Sequence, residues 1–345
     1  MARIVLADDG IEFDGRTPEE RPLGGVESSI CFLVEELAKR GHDVSVYNNC
    51  KAALDHKGVA WRPISGGLPE EADLYIANRG DKLILGMPKA KKTVFWTHNP
   101  AQYVRKWRYV RKLFVGRPPI IFIGSYAETT LPWYVPHGGK VVIPYGIPDI
   151  FRGYPKHETP PPPKVVFTSN PLRSLDWILD IWSEFVHPAV PDAELHIFSG
   201  AQTYGHVGDA KADPMARVLA QAEAMKDQGV ILRGPKPKAE LIEEMRSARA
   251  MLYRSDLNET FCLALGEAQA LGVPCVVQPL GSGPERVRHG ETGFVEPTRE
   301  AFAQSAIRVL TDDTLWATQH AACIDTQGLW GWEQAAAQFE AFLKD

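Results

Sequence analysis

The sequence predicts an α/β protein made of two parallel-sheet domains that face a central cleft. Three observations carry this prediction: short apolar runs alternate with amphipathic segments, a proline-rich stretch interrupts the chain near residues 152–163, and the alternation restarts after it. A chain of 345 residues also has the length of two ordinary domains. The expected domains are residues 1–155 and 156–329, with a C-terminal helix at about 330–345 that could pack back on the first.

In the first half, apolar runs predict six strands. They are residues 3–7, 43–47, 74–77, 93–96, 120–123 and 140–143. A helix is expected from about 26 to 40, because apolar residues repeat there with a 3.6-residue period until Gly41 ends it. Strands separated by helices imply a parallel sheet with helices on both faces.

The second half repeats this pattern after the run Pro160–Pro163, whose residues lack amide protons and favour an extended linker. Strands are expected at 164–167, 194–198, 230–232, 250–253 and 274–277. Helices are expected at about 174–187, 214–227, 238–247, 262–271 and 332–343. Two such domains place a ligand cleft at the carboxyl ends of their strands.

Composition excludes several classes of protein. Lys and Arg number 38 against 43 Asp and Glu, a net charge of −5 that argues against a protein binding polyanions over its whole surface. No apolar stretch approaches the roughly 20 residues of a membrane span, and no signal peptide is visible. The five cysteines form no CxxC pair and are interpreted as reduced thiols of a cytoplasmic protein.

The segment from Ser255 to Ala268 carries the strongest functional signal. A strand ends near Tyr253, and an apolar helix opens around residue 262. The unpaired amides of its first residues (Phe261, Cys262, Leu263) form a ready site for a phosphate. Glu259 and Glu267 could flank one ligand there. Taken alone, the pair has a simpler interpretation, in which Glu259 is a helix-start carboxylate and Glu267 is a solvated one.

The motifs that follow in the chain favour a functional interpretation of the two glutamates instead. Gly272-Val273-Pro274 leads straight into a strand, and Gly281-Ser282-Gly283-Pro284-Glu285 and Thr292-Gly293-Phe294-Val295 follow. With the Glu-x7-Glu pair before them, these motifs resemble the donor site of the retaining nucleotide-sugar glycosyltransferases of family four, which have the GT-B fold of two Rossmann-like domains. The resemblance implies that Glu267 holds the ribose hydroxyls and that Glu259 lies near the donor sugar.

Other segments match the same family. Gly24 and Gly25 resemble its N-terminal Gly-Gly-x-Glu motif, where backbone approaches a diphosphate or sugar. Arg173 matches the position of a phosphate-binding lysine and could bind bidentately. Asn170 stands where the family has an arginine, which leaves the second cation unidentified; Lys236 or Lys238 could supply it. Tyr145 replaces the usual Asn of another motif and is assigned a structural role.

His98 directly follows a predicted strand, in Trp96-Thr97-His98-Asn99-Pro100. The family commonly has a histidine there that touches the transferred sugar, so His98 is expected to be catalytic with Arg173 and Glu259. A histidine after a strand is otherwise more often structural. His196, inside an apolar strand, is interpreted as structural.

Residues 89–117, here called the basic segment, hold nine Lys or Arg residues and no acidic one. Tyr103, Trp107, Val110 and Phe114 fall at helical spacing, which predicts a basic amphipathic helix. Its apolar stripe could face the core, or the segment could meet anionic lipid or an acceptor's pyrophosphate. Nucleic acid is not expected, because no nucleic-acid-binding motif accompanies the charge.

The resemblance thus implies a metal-independent, cofactor-free retaining glycosyltransferase of the hexosyltransferase type. It would move a sugar from a UDP- or GDP-sugar to a glycan or lipid-linked acceptor hydroxyl, in polysaccharide or glycolipid assembly. It would be cytoplasmic and could bind the inner membrane face peripherally. Two alternatives stay open: a nucleotide-sugar 2-epimerase on the same fold, and a non-catalytic nucleotide-sugar-binding protein.

Overall fold

The computed structural model describes residues 1–21, 23–200 and 212–344. The chain divides into two compact units. The first is Met1–Gly146 together with Trp330–Asp345, and the second is Ile147–Leu329. Each unit is built around one Rossmann-like sheet, so the predicted α/β class with two parallel-sheet domains is confirmed.

The first unit contains an eight-stranded sheet in the order β3-β4-β2-β1-β5-β6-β7-β8. Its strands are β1 Arg3–Asp8, β2 Asp43–Asn48, β3 Leu54–His56, β4 Val59–Pro63, β5 Leu74–Asn78, β6 Lys92–Trp96, β7 Ile120–Phe122 and β8 Lys140–Val142. All pairings are parallel except the β3–β4 hairpin. The six predicted strands are present. The β3–β4 hairpin was not predicted, because its strands are short and partly polar and show no hydrophobic periodicity.

Helices of the first unit are Thr17–Glu20, Gly25–Lys39, Trp107–Gly116, Ser125–Thr129 and Trp332–Ala341. The last of these, from the C-terminus, packs on Gly25–Lys39. Glu340 fixes this contact, because its carboxylate accepts from Arg40 at 2.6 Å and lies 2.8 Å from His42. These partners lower the pKa of Glu340 to about 2, the Arg40 hydrogen bond most of all.

Of the two interpretations of the basic segment, the one in which its apolar stripe faces the core is wrong. The helix Trp107–Gly116 buries Tyr109 and Leu113, whereas Trp107 is 75% and Phe114 62% exposed. Tyr103 packs on the core from a separate 3-10 turn, Ala101–Arg105, and the extended Lys106 breaks the helical phase between them. The core therefore selects the i, i+4 pair on the opposite face, and two aromatic side chains are left at the surface.

The second unit contains a six-stranded, all-parallel sheet in the order β11-β10-β9-β12-β13-β14. Its strands are β9 Lys164–Phe167, β10 Glu194–Ile197, β11 Val230–Leu232, β12 Ala250–Tyr253, β13 Cys275–Val277 and β14 Gly293–Val295. Its described α-helices are Leu175–Ile181, His187–Ala189, Ala212–Ala224, Lys238–Arg246, Leu263–Ala270, Gly283–Arg286, Arg299–Thr311 and Asp313–Gln327, and a π-helical stretch, Trp182–Val186, joins the first two. Because β9, β12 and β13 are neighbours, the loops that follow them meet at one edge.

Candidate functional site

The carboxyl edge of the second sheet gathers three loops around the start of the helix Leu263–Ala270, here called the site helix. Its N-cap residue, Cys262, has φ +61° and provides no side-chain cap. Ser174 and Ser255, in the loops after β9 and β12, are also left-handed, at φ +62° and +69°. Such backbone costs a non-glycine residue roughly 1–2 kcal/mol and concentrates where a loop is held in one functional shape.

Glu259 and Arg173 meet at this edge. One guanidinium nitrogen of Arg173 lies 3.5 Å from the Glu259 carboxylate and 3.5 Å from that of Asp256. The Tyr253 hydroxyl donates to Glu259 at 2.8 Å. Burial by itself would lower the pKa of Arg173, but the nearby carboxylates of Glu259 and Asp256 have the larger effect. The pKa of Arg173 is therefore raised. The structure therefore brings together a fixed cation and an oriented carboxylate, two of the residues named from sequence.

Glu267 lies one turn into the site helix, with its side chain 15% exposed. Lys238 stands 3.6 Å from its carboxylate and also lies over the Phe151 ring, 5.4 Å from its centre. Burial raises the pKa of Glu267, and the nearby Lys238 opposes that rise. Lys236 binds Glu240 instead, at 3.0 Å. Of the two lysines considered from sequence, Lys238 is the one that reaches a predicted site residue.

Residues 278–286, here called the glycine-rich loop, are tied to the loop that carries Glu259. The Ser282 amide donates to the Glu259 carbonyl at 3.0 Å, and the Ser255 hydroxyl donates to the Leu280 carbonyl at 2.8 Å. Gly281, at φ +55°, packs so closely that a Cβ there would stand 2.2 Å from the Asp256 carbonyl oxygen. The two loops therefore form one framework.

Arg286 is the last residue of the glycine-rich loop, and the sequence analysis did not identify it as a site residue. Its guanidinium carbon lies 4.4 Å from the centre of the Phe261 ring. Its Nε is buried without a hydrogen-bond partner in the described residues. The sequence feature that could have identified it is its position directly after the Pro-Glu pair of the glycine-rich loop.

Gly24 and Gly25 lie at the start of the helix Gly25–Lys39, in the first unit. Glu27 folds back over them, since a Cβ on Gly24 would stand 2.5 Å from its Oε2. Its other oxygen accepts from Arg79 at 2.8 Å, and Arg79 also binds the buried Asp8 at 3.0 Å. A carboxylate already at this helix start favours a hydroxyl-bearing ligand over a phosphate there.

His98 is buried, and both of its ring nitrogens have partners. Asn78 donates through its amide nitrogen to the Asp8 carboxylate at 2.6 Å, which fixes the amide orientation. The Asn78 oxygen therefore accepts from His98 Nε2 at 2.5 Å, and His98 Nδ1 accepts from the Tyr145 hydroxyl. Burial, reinforced by Arg79, holds the pKa of His98 well below its usual range. His98 is thus a neutral, oriented imidazole.

Residues 162–312, in the second unit, match the family described as glycosyl transferases group 1. The matched residues include Arg173, Lys238, Glu259, Glu267 and Arg286, whereas Gly24, Gly25 and His98 lie outside them.

Curated relatives match parts of this chain. An exopolysaccharide phosphotransferase of Streptomyces coelicolor is 27% identical over 66% of this chain and 23% of that protein. A D-inositol 3-phosphate glycosyltransferase of Corynebacterium aurimucosum is 32% identical over 32% of this chain and 27% of that protein. The alignments thus span about a quarter of these relatives.

Two solved structures are similar over nearly the whole chain. Sucrose-phosphate synthase from Thermosynechococcus elongatus aligns with a TM-score of 0.74 at 16% identity, covering 99% of this chain and 98% of that one. HepE from Anabaena, solved with UDP and glucose, aligns with a TM-score of 0.72 at 14% identity and covers all of both chains. These similarities identify the fold of the chain as GT-B.

Proposed function

We propose that the protein is a retaining glycosyltransferase that moves a sugar from a UDP- or GDP-sugar to an acceptor hydroxyl. The observation that carries this is the ion pair of Arg173 with Glu259 just before the site helix, which carries Glu267 one turn further on. The resemblance of the same residues to a donor site, within a segment that matches group 1 glycosyl transferases, supports it. The solved HepE complex with UDP and glucose supports the choice of a uridine donor to test first.

Each of these groups has a proposed role. Glu267 accepts hydrogen bonds from the ribose hydroxyls. Arg173 and the first amides of the site helix neutralise the diphosphate as the glycosidic bond breaks, the step in which negative charge develops on the leaving group. Glu259, held by Tyr253, lies beside the sugar carbon that becomes electron-poor.

The proposed reaction takes place on one face of the sugar. The acceptor oxygen attacks from the side that the diphosphate leaves, and a leaving phosphate oxygen takes the acceptor's proton. Neither a protein nucleophile nor a metal ion is needed for this sequence of events, because fixed cations meet the leaving charge. His98 stays a predicted contact to the sugar, in the neutral form that its partners impose, and the first unit is the proposed acceptor side.

A nucleotide screen with matched variants tests this function. Thermal shift with UDP, GDP, ADP and TDP should raise the melting temperature with one nucleotide, because a ligand of the folded state stabilises it. Glu267→Gln should then weaken that nucleotide roughly tenfold or more, since a hydrogen bond to a charged group contributes about 1.5–3 kcal/mol. Glu240→Gln, a change to a carboxylate 57% exposed in the same unit, should leave the affinity unchanged.

Turnover of the matching nucleotide sugar separates the alternatives. Transfer of labelled sugar to an acceptor supports the proposal. Release of an isomerised free sugar without acceptor would indicate the 2-epimerase, and tight binding with no turnover would indicate a binding protein. Unchanged nucleotide affinity in Glu267→Gln would remove the ribose assignment.

We also propose that the basic segment binds an anionic membrane surface reversibly, which would suit a lipid-linked acceptor in polysaccharide or glycolipid assembly at the cytoplasmic face. Trp107 and Phe114 are exposed among cations, and Arg105, Lys106 and Arg111 are exposed with them. Arg108 and Lys112 bind Asp81 instead, at 3.3 and 2.7 Å. Within the described residues, no helix combines the length and apolarity that crossing a bilayer requires.

Vesicle sedimentation should therefore depend on acidic lipid and fall with salt. Changing Arg105, Lys106 and Arg111 together to Gln should lower binding roughly 100-fold, at about 1 kcal/mol per cation near an anionic surface. The charge-matched control changes the exposed Lys156, Lys226 and Arg288 of the second unit and should leave binding intact. Equal binding to neutral and acidic vesicles would contradict the proposal.

A further inference from the structure

Arg286 is a partly buried cation whose Nε has no hydrogen-bond partner among the described residues. That Nε is shielded from solvent, although the residue as a whole is partly exposed. The guanidinium carbon lies 4.4 Å from the centre of the Phe261 ring. Because an unsatisfied buried donor costs free energy, proteins rarely keep one unless a ligand or water completes it.

The position of Arg286 suggests what that ligand is. Phe261 immediately precedes Cys262, the N-cap of the site helix, and burial lowers the pKa of Arg286 while the neighbouring Glu285 and Cys262 oppose the fall. Arg173, in the loop after β9, lies 3.5 Å from Glu259, three residues before Cys262. Two guanidinium groups therefore lie beside the short segment that leads into one helix N-terminus, an arrangement that concentrates positive charge near unpaired amides.

The residues that might otherwise supply a second cation are engaged elsewhere. Asn170 carries no charge, and its side-chain oxygen accepts from the Leu172 amide at 2.8 Å, so that it shapes the loop that presents Arg173. Lys238 lies 3.6 Å from Glu267, the carboxylate proposed for the ribose. Lys236 binds Glu240.

We propose that Arg286 is the second guanidinium of the diphosphate site, binding a phosphate group together with Arg173 and the first amides of the site helix. Phe261 holds the guanidinium plane, and the ties of the glycine-rich loop to Glu259 and Ser255 hold its backbone. A planar guanidinium can bind phosphate through two parallel hydrogen bonds, which a lysine cannot. This inference rests on the proposed function, since it names a partner for the donor diphosphate.

The experiment measures binding by calorimetry with two probes, inorganic pyrophosphate and the nucleoside diphosphate selected by the thermal-shift screen. Arg286→Met keeps an apolar side chain against Phe261 and removes the charge, and it should weaken both probes about 10- to 100-fold. Arg286→Lys keeps the charge without the fork and should weaken them several-fold. The control is Arg288→Met, two residues along, at a side chain 58% exposed that binds Glu291; it should bind both probes like the wild type.

The outcomes separate this inference from the proposed function. If the nucleoside diphosphate binds the wild type and all three variants equally, Arg286 is only a packing residue and the proposed function stands. If pyrophosphate binding is lost in Arg286→Met while no nucleotide binds the wild type, the anion site stands and the proposed donor falls. Should Arg286→Met not fold, equal binding by Arg286→Lys and wild type overturns the inference. Wild-type protein that binds neither probe overturns both.

Discussion

Glu259→Gln is expected to lower sugar transfer by roughly 100-fold or more and to leave nucleotide affinity within about threefold. The Glu259 carboxylate is proposed to face a sugar carbon that gains positive charge only as the bond breaks, so its charge stabilises the transition state more than the bound donor. Glu259→Gln also removes a negative charge 3.5 Å from Arg173. Because phosphate is itself negative, losing that charge does not weaken phosphate binding electrostatically. Initial rates with the nucleotide sugar, and calorimetry with the bare nucleotide, measure the two effects.

Asp256→Asn is the matched control for Glu259, because Asp256 is the other carboxylate 3.5 Å from Arg173. It should lower the rate much less, since no reacting carbon is proposed beside it. Tyr253→Phe removes the hydroxyl that donates to Glu259 and should lower kcat with little change in KM. Equal losses in Glu259→Gln and Asp256→Asn would show that Glu259 acts only by holding Arg173.

Arg173→Met is expected to lower turnover by about 100- to 1000-fold, the range found when one preorganised group for developing negative charge is removed. Nucleoside diphosphate affinity should also fall roughly tenfold or more. Arg173 is well placed for such an effect because two carboxylates keep it charged and oriented. Turnover and calorimetry measure the change, and circular dichroism checks that the fold is kept.

Arg254→Met is the control for this second variant. Arg254 lies in the same loop after β12 as Glu259, but it stacks on Trp177 and donates to Gln278. Its loss should affect stability and leave turnover within a few-fold. An Arg173→Met variant that transfers sugar at the wild-type rate would place the leaving-group cation elsewhere, with Lys238 and Arg286 as the next residues to change.

The sequence by itself determined the two mainly parallel sheets and the place of the candidate site in the second unit. Apolar strand-length runs separated by amphipathic segments admit few arrangements other than parallel sheets covered by helices. In such sheets the loops after the strands share one edge, so Glu259 and Arg173 had to converge although 86 positions separate them in the chain numbering. The start of the site helix was also readable, because local polarity changes to apolarity at residues 262–263.

Tertiary packing alone decided which face of a helix is buried and which partner a polar group finds. Trp107 and Phe114 have the spacing of a core stripe, yet the sheet accepts Tyr109 and Leu113, because a 3-10 turn resets the helical phase. The orientation and tautomer of His98 follow from Asn78 and Tyr145, which are 20 and 47 residues distant, and no local pattern encodes such pairs. Arg286 was hidden for the same reason: its contact with Phe261 joins loops after two different strands, and only the assembled sheet edge brings them together.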